Sequence, residues 1–154
     1  MYLLDTNTLR AIDMGDPSVM ARAKQIPSDQ IFISVIAIAE VLQGWLSLIN
    51  KHQGRGKTDI CAAYDDFDEA RLDLNAYKVI RHGFQAEALY QAFPSSVKRA
   101  GTNDCRIAAT AIVHGLIVVT RNTPRLRKNP RRKIRGLDDP VIHSLAALPI
   151  PHRL

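Results

Sequence analysis

Three acids, Asp5, Glu40 and Asp104, stand where this chain could do chemistry. Asp5 closes the apolar run Tyr2-Leu3-Leu4, which is too short for a helix and reads as a buried strand. Glu40 interrupts the apolar stretch Ser34-Val35-Ile36-Ala37-Ile38-Ala39-Glu40-Val41-Leu42, so it falls one to two turns into a helix, beside the buried face. An acid in that position is almost never fully buried without a partner. Asp104 opens an alanine-rich helix, from which its carboxylate can reach strand ends. Two of the acids have plain structural alternatives: an Asx turn for Asp5 and the helix dipole for Asp104. In open parallel sheets, however, ligands bind beyond the carboxyl ends of the strands, and all three acids fall there. Two carboxylates about 4 Å apart repel by roughly 4 kcal/mol at an effective dielectric near 20. A cup of three therefore calls for a cation. Oxygen donors favour magnesium or manganese over zinc, and the five histidines show no HxxxH or HxH spacing.

The elements that must position these acids can be read from periodicity and punctuation. The strand ending at Asp5 is followed by a helix over about 7–14, capped by Thr6 or Asn7 and stopped at Gly15. Pro17 suits the first turn of a second helix, to about Gln25. Ile31–Ile33 reads as a strand, and Ser34 caps a helix from Val35 to about Asn50. A turn over 52–57 leads to a helix from about Thr58 to Leu74. Tyr77–Ile80 reads as a third strand. Phe84–Phe93 reads as a helix with Phe84, Ala88 and Leu89 toward the core. Thr102 or Asn103 caps the helix from Asp104 to His114, Gly115 ends it, and Leu116–Thr120 is the most strand-like segment of all. Strands alternating with helices imply an α/β fold with a parallel sheet.

Composition bounds the rest. The 154 residues fit one domain and bury a core without staples. Two cysteines, Cys61 and Cys105, lie far apart and fit a reducing cytoplasm better than a disulfide scaffold. The start MYLLDTN has no signal-peptide pattern, and no apolar run approaches the roughly 20 residues of a membrane span. The net charge of +6 comes from one place. Arg121, Arg125, Arg127, Lys128, Arg131, Arg132, Lys133 and Arg135 fall in a stretch without an acid, and the remaining 13 basic residues face 15 acidic ones. Such density favours contacts to phosphate over a merely solvated loop. Trp45, at helical spacing, reads as core or a subunit contact before a base-stacking ring, and Cys105 as a buried structural thiol. Gly54-Arg55-Gly56-Lys57 lacks full Walker spacing and reads as a loop.

The segments LLDTN, ISVIAIAEVLQG, NDCRIAATAIVHG and VVTRN occur in the order found in PIN-domain proteins, and over about residues 1–123 the chain resembles the VapC-type toxins among them. The resemblance implies a three-layer α/β/α PIN-like domain with a central, mostly parallel sheet over 1–123, the basic segment 124–154 completing it. It implies a metal-dependent endoribonuclease using Mg2+, or Mn2+ as a substitute. Asp5, Glu40 and Asp104 would be the metal ligands, Thr6 would support Asp5, and Asn122 would supply a fourth polar group. Arg121, Arg125, Arg127, Lys128, Arg131, Arg132 and Lys133 would contact RNA. The resemblance also implies a cognate antitoxin and a homodimer. The family commonly continues TRNxxDF, whereas Arg125 and Leu126 stand here in place of the acid and the aromatic. A catalytically weak or inactive PIN-like RNA-binding module is therefore the main rival. A phosphatase of small phosphoesters would need a DxD after the first strand, which this chain lacks.

Overall fold

A computed structural model describes residues 1–53 and 57–120 of the chain. Its elements are β1 (Tyr2–Leu4), α1 (Thr6–Asp13), α2 (Pro17–Ala23), a 3-10 turn (Ser28–Gln30), β2 (Ile31–Ser34), α3 (Val35–His52), α4 (Lys57–Leu74), β3 (Lys78–Ile80), α5 (Phe84–Gln91), α6 (Ser95–Lys98), α7 (Thr102–Val113) and β4 (Ile117–Val119). Among the described residues all strand pairings are parallel, in the order β3-β2-β1-β4. Parallel neighbours cannot be joined by tight turns, so each crossover carries helix. The α/β architecture read from the sequence is the one observed.

The order matters for function. The chain builds outward from β1 through β2 to β3, then returns to the other side of β1 to lay down β4. The strand order reverses between β1 and β4, and Asp5 follows the last residue of β1 at that point. The main core gathers Leu3 and Leu4 of β1, Ile33 of β2, Ala37 and Val41 of α3, Ile107 and Ala111 of α7, and Leu9, Leu74 and Leu116. Trp45 packs partly buried against this cluster, so it is core, as the helical spacing suggested. A second cluster joins Tyr90 and Phe93 to Cys105 and Ala109 of α7. Cys105 is buried there and its thiol donates to the Val97 carbonyl at 3.3 Å, a structural role.

Three local expectations are corrected. The cap of α1 is Asp5, not Thr6 or Asn7. The N-cap of α7 is Gly101, which makes no side-chain cap; neither Thr102 nor Asn103 fills that position. On α5 the buried residues are Ala86 and Tyr90, while Phe84 and Ala88 are exposed. Both sets have helical spacing, so periodicity could not choose between them. The stacking of the Arg106 guanidinium over the Tyr90 ring, 4.7 Å from its centroid, belongs to the face that faces α7. Among the described residues no helix is long and apolar enough to cross a membrane.

Candidate active site

The Asp5 backbone N–H donates to the Val119 carbonyl at 3.0 Å, extending the β1–β4 ladder by one residue. Its backbone then leaves the strand direction, and its Oδ1 accepts the Thr8 N–H at 2.7 Å, satisfying one of the orphan donors of α1. The Thr8 hydroxyl in turn donates to the Val119 carbonyl at 3.1 Å. Asp5 is thus 5% exposed and fixed to the ends of two strands and one helix at once.

Glu40 sits half-buried in α3 with two partners, as an acid beside an apolar face requires. The Thr6 hydroxyl donates to its Oε2. The Asn103 amide donates to its Oε1 at 2.9 Å. Thr6 therefore supports Glu40, in addition to following Asp5 in the chain. Asp104 lies in the first turn of α7, and Gly101 makes room for it: a Cβ at Gly101 would stand 3.2 Å from Asp104 Oδ2. Gly101 also holds φ at 128°, where a side chain is strained.

Glu40 and Asp104 line one polar cleft together with Thr6, Asn7, Arg10, Gln43, Gly44 and Ser47. Asp5 does not line it; the chain enters the cleft one residue later. Sequence reasoning missed Arg10 and Asn103. Arg10 crosses from α1 to α3, where its Nη2 donates to the Glu40 carbonyl at 3.3 Å. Gly44 permits this approach, since a Cβ there would meet that Nη2 at 2.9 Å. A glycine inside an otherwise apolar helix is the signal that could have pointed to it. Asn122 and the basic residues Arg121, Arg125, Arg127, Lys128, Arg131, Arg132 and Lys133 lie outside the described residues.

The donor set of Asp5, Glu40, Asp104 and Thr6 is all oxygen, which fits a hard divalent cation. The side chains are not gathered for one as they stand: among the described residues no three carboxylate, imidazole or thiol groups form a cluster able to hold an ion. Glu40 spends its oxygens on Thr6 and Asn103, and Asp5 spends one on Thr8. Each Glu40 oxygen keeps a lone pair beyond its one hydrogen bond, so ligation needs the acids to be drawn together rather than these bonds to be broken.

A second groove shares Glu40 and Gln43 with the first and runs along Val35, Ile36 and Ala39 to His82, Phe84 and Arg106. One of its walls is a fixed polar network. Arg106 donates to both Glu87 oxygens, at 3.0 and 3.2 Å, and Gln91 adds a third bond at 2.7 Å. His82 meets Glu87 through Nε2 at 2.7 Å. Through Nδ1 it meets the Thr110 hydroxyl at 2.8 Å. That hydroxyl also lies 2.8 Å from the Arg106 carbonyl, to which it donates. The hydrogen bonds from Arg106 first, then from His82 and Gln91, hold the Glu87 carboxyl down at about 2. Across the molecule, between α1 and α4, burial and then the Asp73 charge raise the pKa of Asp13.

Comparison with known proteins agrees with this geometry. Residues 2–130 match the PIN domain family. The chain is 30% identical over 129 residues to Toxin FitB of Neisseria gonorrhoeae, spanning 80% of this chain and 88% of that protein. A solved structure of FitAB bound to an IR36 DNA fragment superposes with a TM-score of 0.60 at 29% identity, over 80% of this chain and 86% of that one. DNA-bound VapBC from Salmonella typhimurium shares the fold, with a TM-score of 0.65 at 21% identity over 88% of this chain and 97% of that one. With its parallel sheet, its acids beyond β1 and a match over most of its length, the chain belongs to the PIN-domain family.

Proposed function

We propose that the chain is a metal-dependent endoribonuclease, the toxin of a toxin–antitoxin pair, which hydrolyses RNA phosphodiester bonds with Mg2+ or with Mn2+ in its place. PIN-domain toxins are generally nucleases. The observation that carries the reading, in a chain of this family, is that Glu40 and Asp104, distant in the sequence, line one polar cleft together with Thr6, the residue after Asp5. Asp5, Glu40 and Asp104 are the proposed ligands. A divalent ion held there would supply Lewis-acid chemistry, activating water and polarising the phosphoryl group. Thr6 and Asn103 orient the Glu40 carboxylate. Arg10, on the rim of the cleft, gives the phosphate a cationic contact. Asn122 is the fourth polar group, and the basic residues from Arg121 onward grip the RNA backbone, contributing affinity without sequence information. Residues 124–154 complete the same domain in this reading.

The partners follow from the relatives. FitAB is a toxin–antitoxin assembly, and by that likeness we assign this chain a cognate antitoxin; a homodimeric state and a cytoplasmic place of action belong to the same proposal. Arg125, standing where the family carries an acid, favours one second reading: an RNA-binding module without cleavage. The two separate in one assay. Purified chain incubated with single-stranded RNA should cleave it in Mg2+, stop in chelator, and lose at least about 100-fold in rate on Asp104→Asn, the scale of removing one electrostatic group from a reacting centre. RNA bound equally tightly in chelator and never cut would replace the enzyme with the binding module.

A further inference from the structure

Phe84 is 96% exposed, more than any other large apolar side chain in the described residues. It is not loosely held. It is the first residue of α5, and the backbone before it is fixed by His82, whose ring bonds to Glu87 of the same helix and to Thr110 of α7. Glu87 is bound twice more by Arg106. A rigid scaffold thus presents a bare aromatic ring to solvent, at the mouth of a groove with an apolar lining of Val35, Ile36 and Ala39. The backbone that carries the ring is already fixed, so only the side-chain torsions are ordered when something stacks on it.

The groove is continuous with the polar cleft, because Glu40 and Gln43 line both. These two residues are one helical turn apart on α3 and form the ridge between a polar compartment and an apolar one. RNA has the same alternation: a charged phosphodiester and a flat, largely apolar base with polar edges. The amides of Gln43 and Asn103, at the groove wall, match base edges, and an aromatic ring matches a base face.

We infer that this groove is a nucleobase subsite, in which Phe84 stacks on an unpaired base of single-stranded RNA flanking the phosphodiester that a cation ligated by Glu40 and Asp104 would hold. The inference rests on the ribonuclease reading above and adds to it a place where the substrate must be unpaired. Duplex RNA, with its bases stacked inward, cannot fill the groove.

The test measures binding of a short single-stranded RNA oligonucleotide to the full chain carrying Asp104→Asn, compared with the same protein bearing Phe84→Ala or Phe84→Trp. A parallel set of oligonucleotides carries one abasic site at successive positions. Because the Phe84 side chain is almost wholly in water, its truncation does not threaten the fold. Phe84→Ala should weaken binding of the intact RNA by about 5- to 100-fold, the range of one base–aromatic stack, and Phe84→Trp should restore it. At one abasic position the Phe84→Ala penalty should vanish. An equal penalty at every abasic position, or none on intact RNA, overturns the subsite. So does a change of oligomeric mass or of antitoxin binding with RNA affinity untouched, which would assign the groove to a protein contact. If the parent chain binds no RNA at all, the ribonuclease reading falls; if it binds RNA and Phe84 makes no difference, the subsite falls alone.

Discussion

Asp5 carries two duties that a substitution can separate. Its Oδ1 caps α1 through the Thr8 N–H, and its charge is proposed to serve the metal. Asparagine caps as well as aspartate, whereas alanine does not. Asp5→Asn should therefore abolish RNA cleavage while staying within about 0.5 kcal/mol of wild-type stability, and Asp5→Ala should abolish cleavage and lose about 0.5–2 kcal/mol, both read by urea unfolding beside the cleavage assay. A fully active Asp5→Asn protein would reduce the residue to its capping role. The candidate acids were legible because each breaks a local pattern: Asp5 ends an apolar run, Glu40 interrupts one, and Asp104 opens a helix. Arg10 and Asn103 were not, since nothing local marks them. Arg10 reaches its place because Gly44, on another helix, leaves room, and Asn103, inside the first turn of α7, reaches Glu40, which lies 63 residues earlier. Such contacts are made by the fold and carry no signature in their own neighbourhood.

At the scale of elements, strand and helix positions followed from the punctuation. Ser34 caps α3 with its hydroxyl on the Ala37 N–H at 3.0 Å, and Pro17 opens α2. The helix α5 shows where this reasoning stops. Its length was legible but its orientation was not, because both candidate faces offer apolar residues and the choice depends on what α7 presents. The Glu87 network that joins the two helices makes a pH prediction. With its carboxyl held at about 2 rather than 4.5, Glu87 contributes stability that is complete above 4.5 and is lost as the pH falls toward 2. Glu87→Gln should lower the midpoint of thermal unfolding at pH 7 and flatten the fall in stability between pH 4.5 and pH 2. An unchanged acid limb would show that the network does not tie α5 to α7.

For the whole molecule, the sheet order decides where chemistry can be placed, and the core holds that order. Ile33, fully buried in β2 beside Leu3 and Leu4, belongs to the cluster that joins the sheet to α3 and α7. Ile33→Ala should cost about 2–5 kcal/mol in denaturant unfolding, with loss of cleavage only as the fold is lost. Loss of activity in a protein that unfolds normally would mean that the core also tunes the site. The parallel α/β plan was legible from the alternation of strands and helices, but the return of β4 to the far side of β1 was not, because several strand orders satisfy the same alternation. That return has a consequence during synthesis. β1 precedes β4 by more than a hundred residues, yet β4 is the neighbour to which Asp5 is tied. At roughly 5–20 residues per second on the ribosome, several seconds pass between the emergence of the first acid and that of the strand that seats it. A half-made chain has no finished cleft, since Asp104 and β4 both emerge about a hundred residues after Asp5, so any chemistry of this site waits for the far part of the sheet to be synthesised.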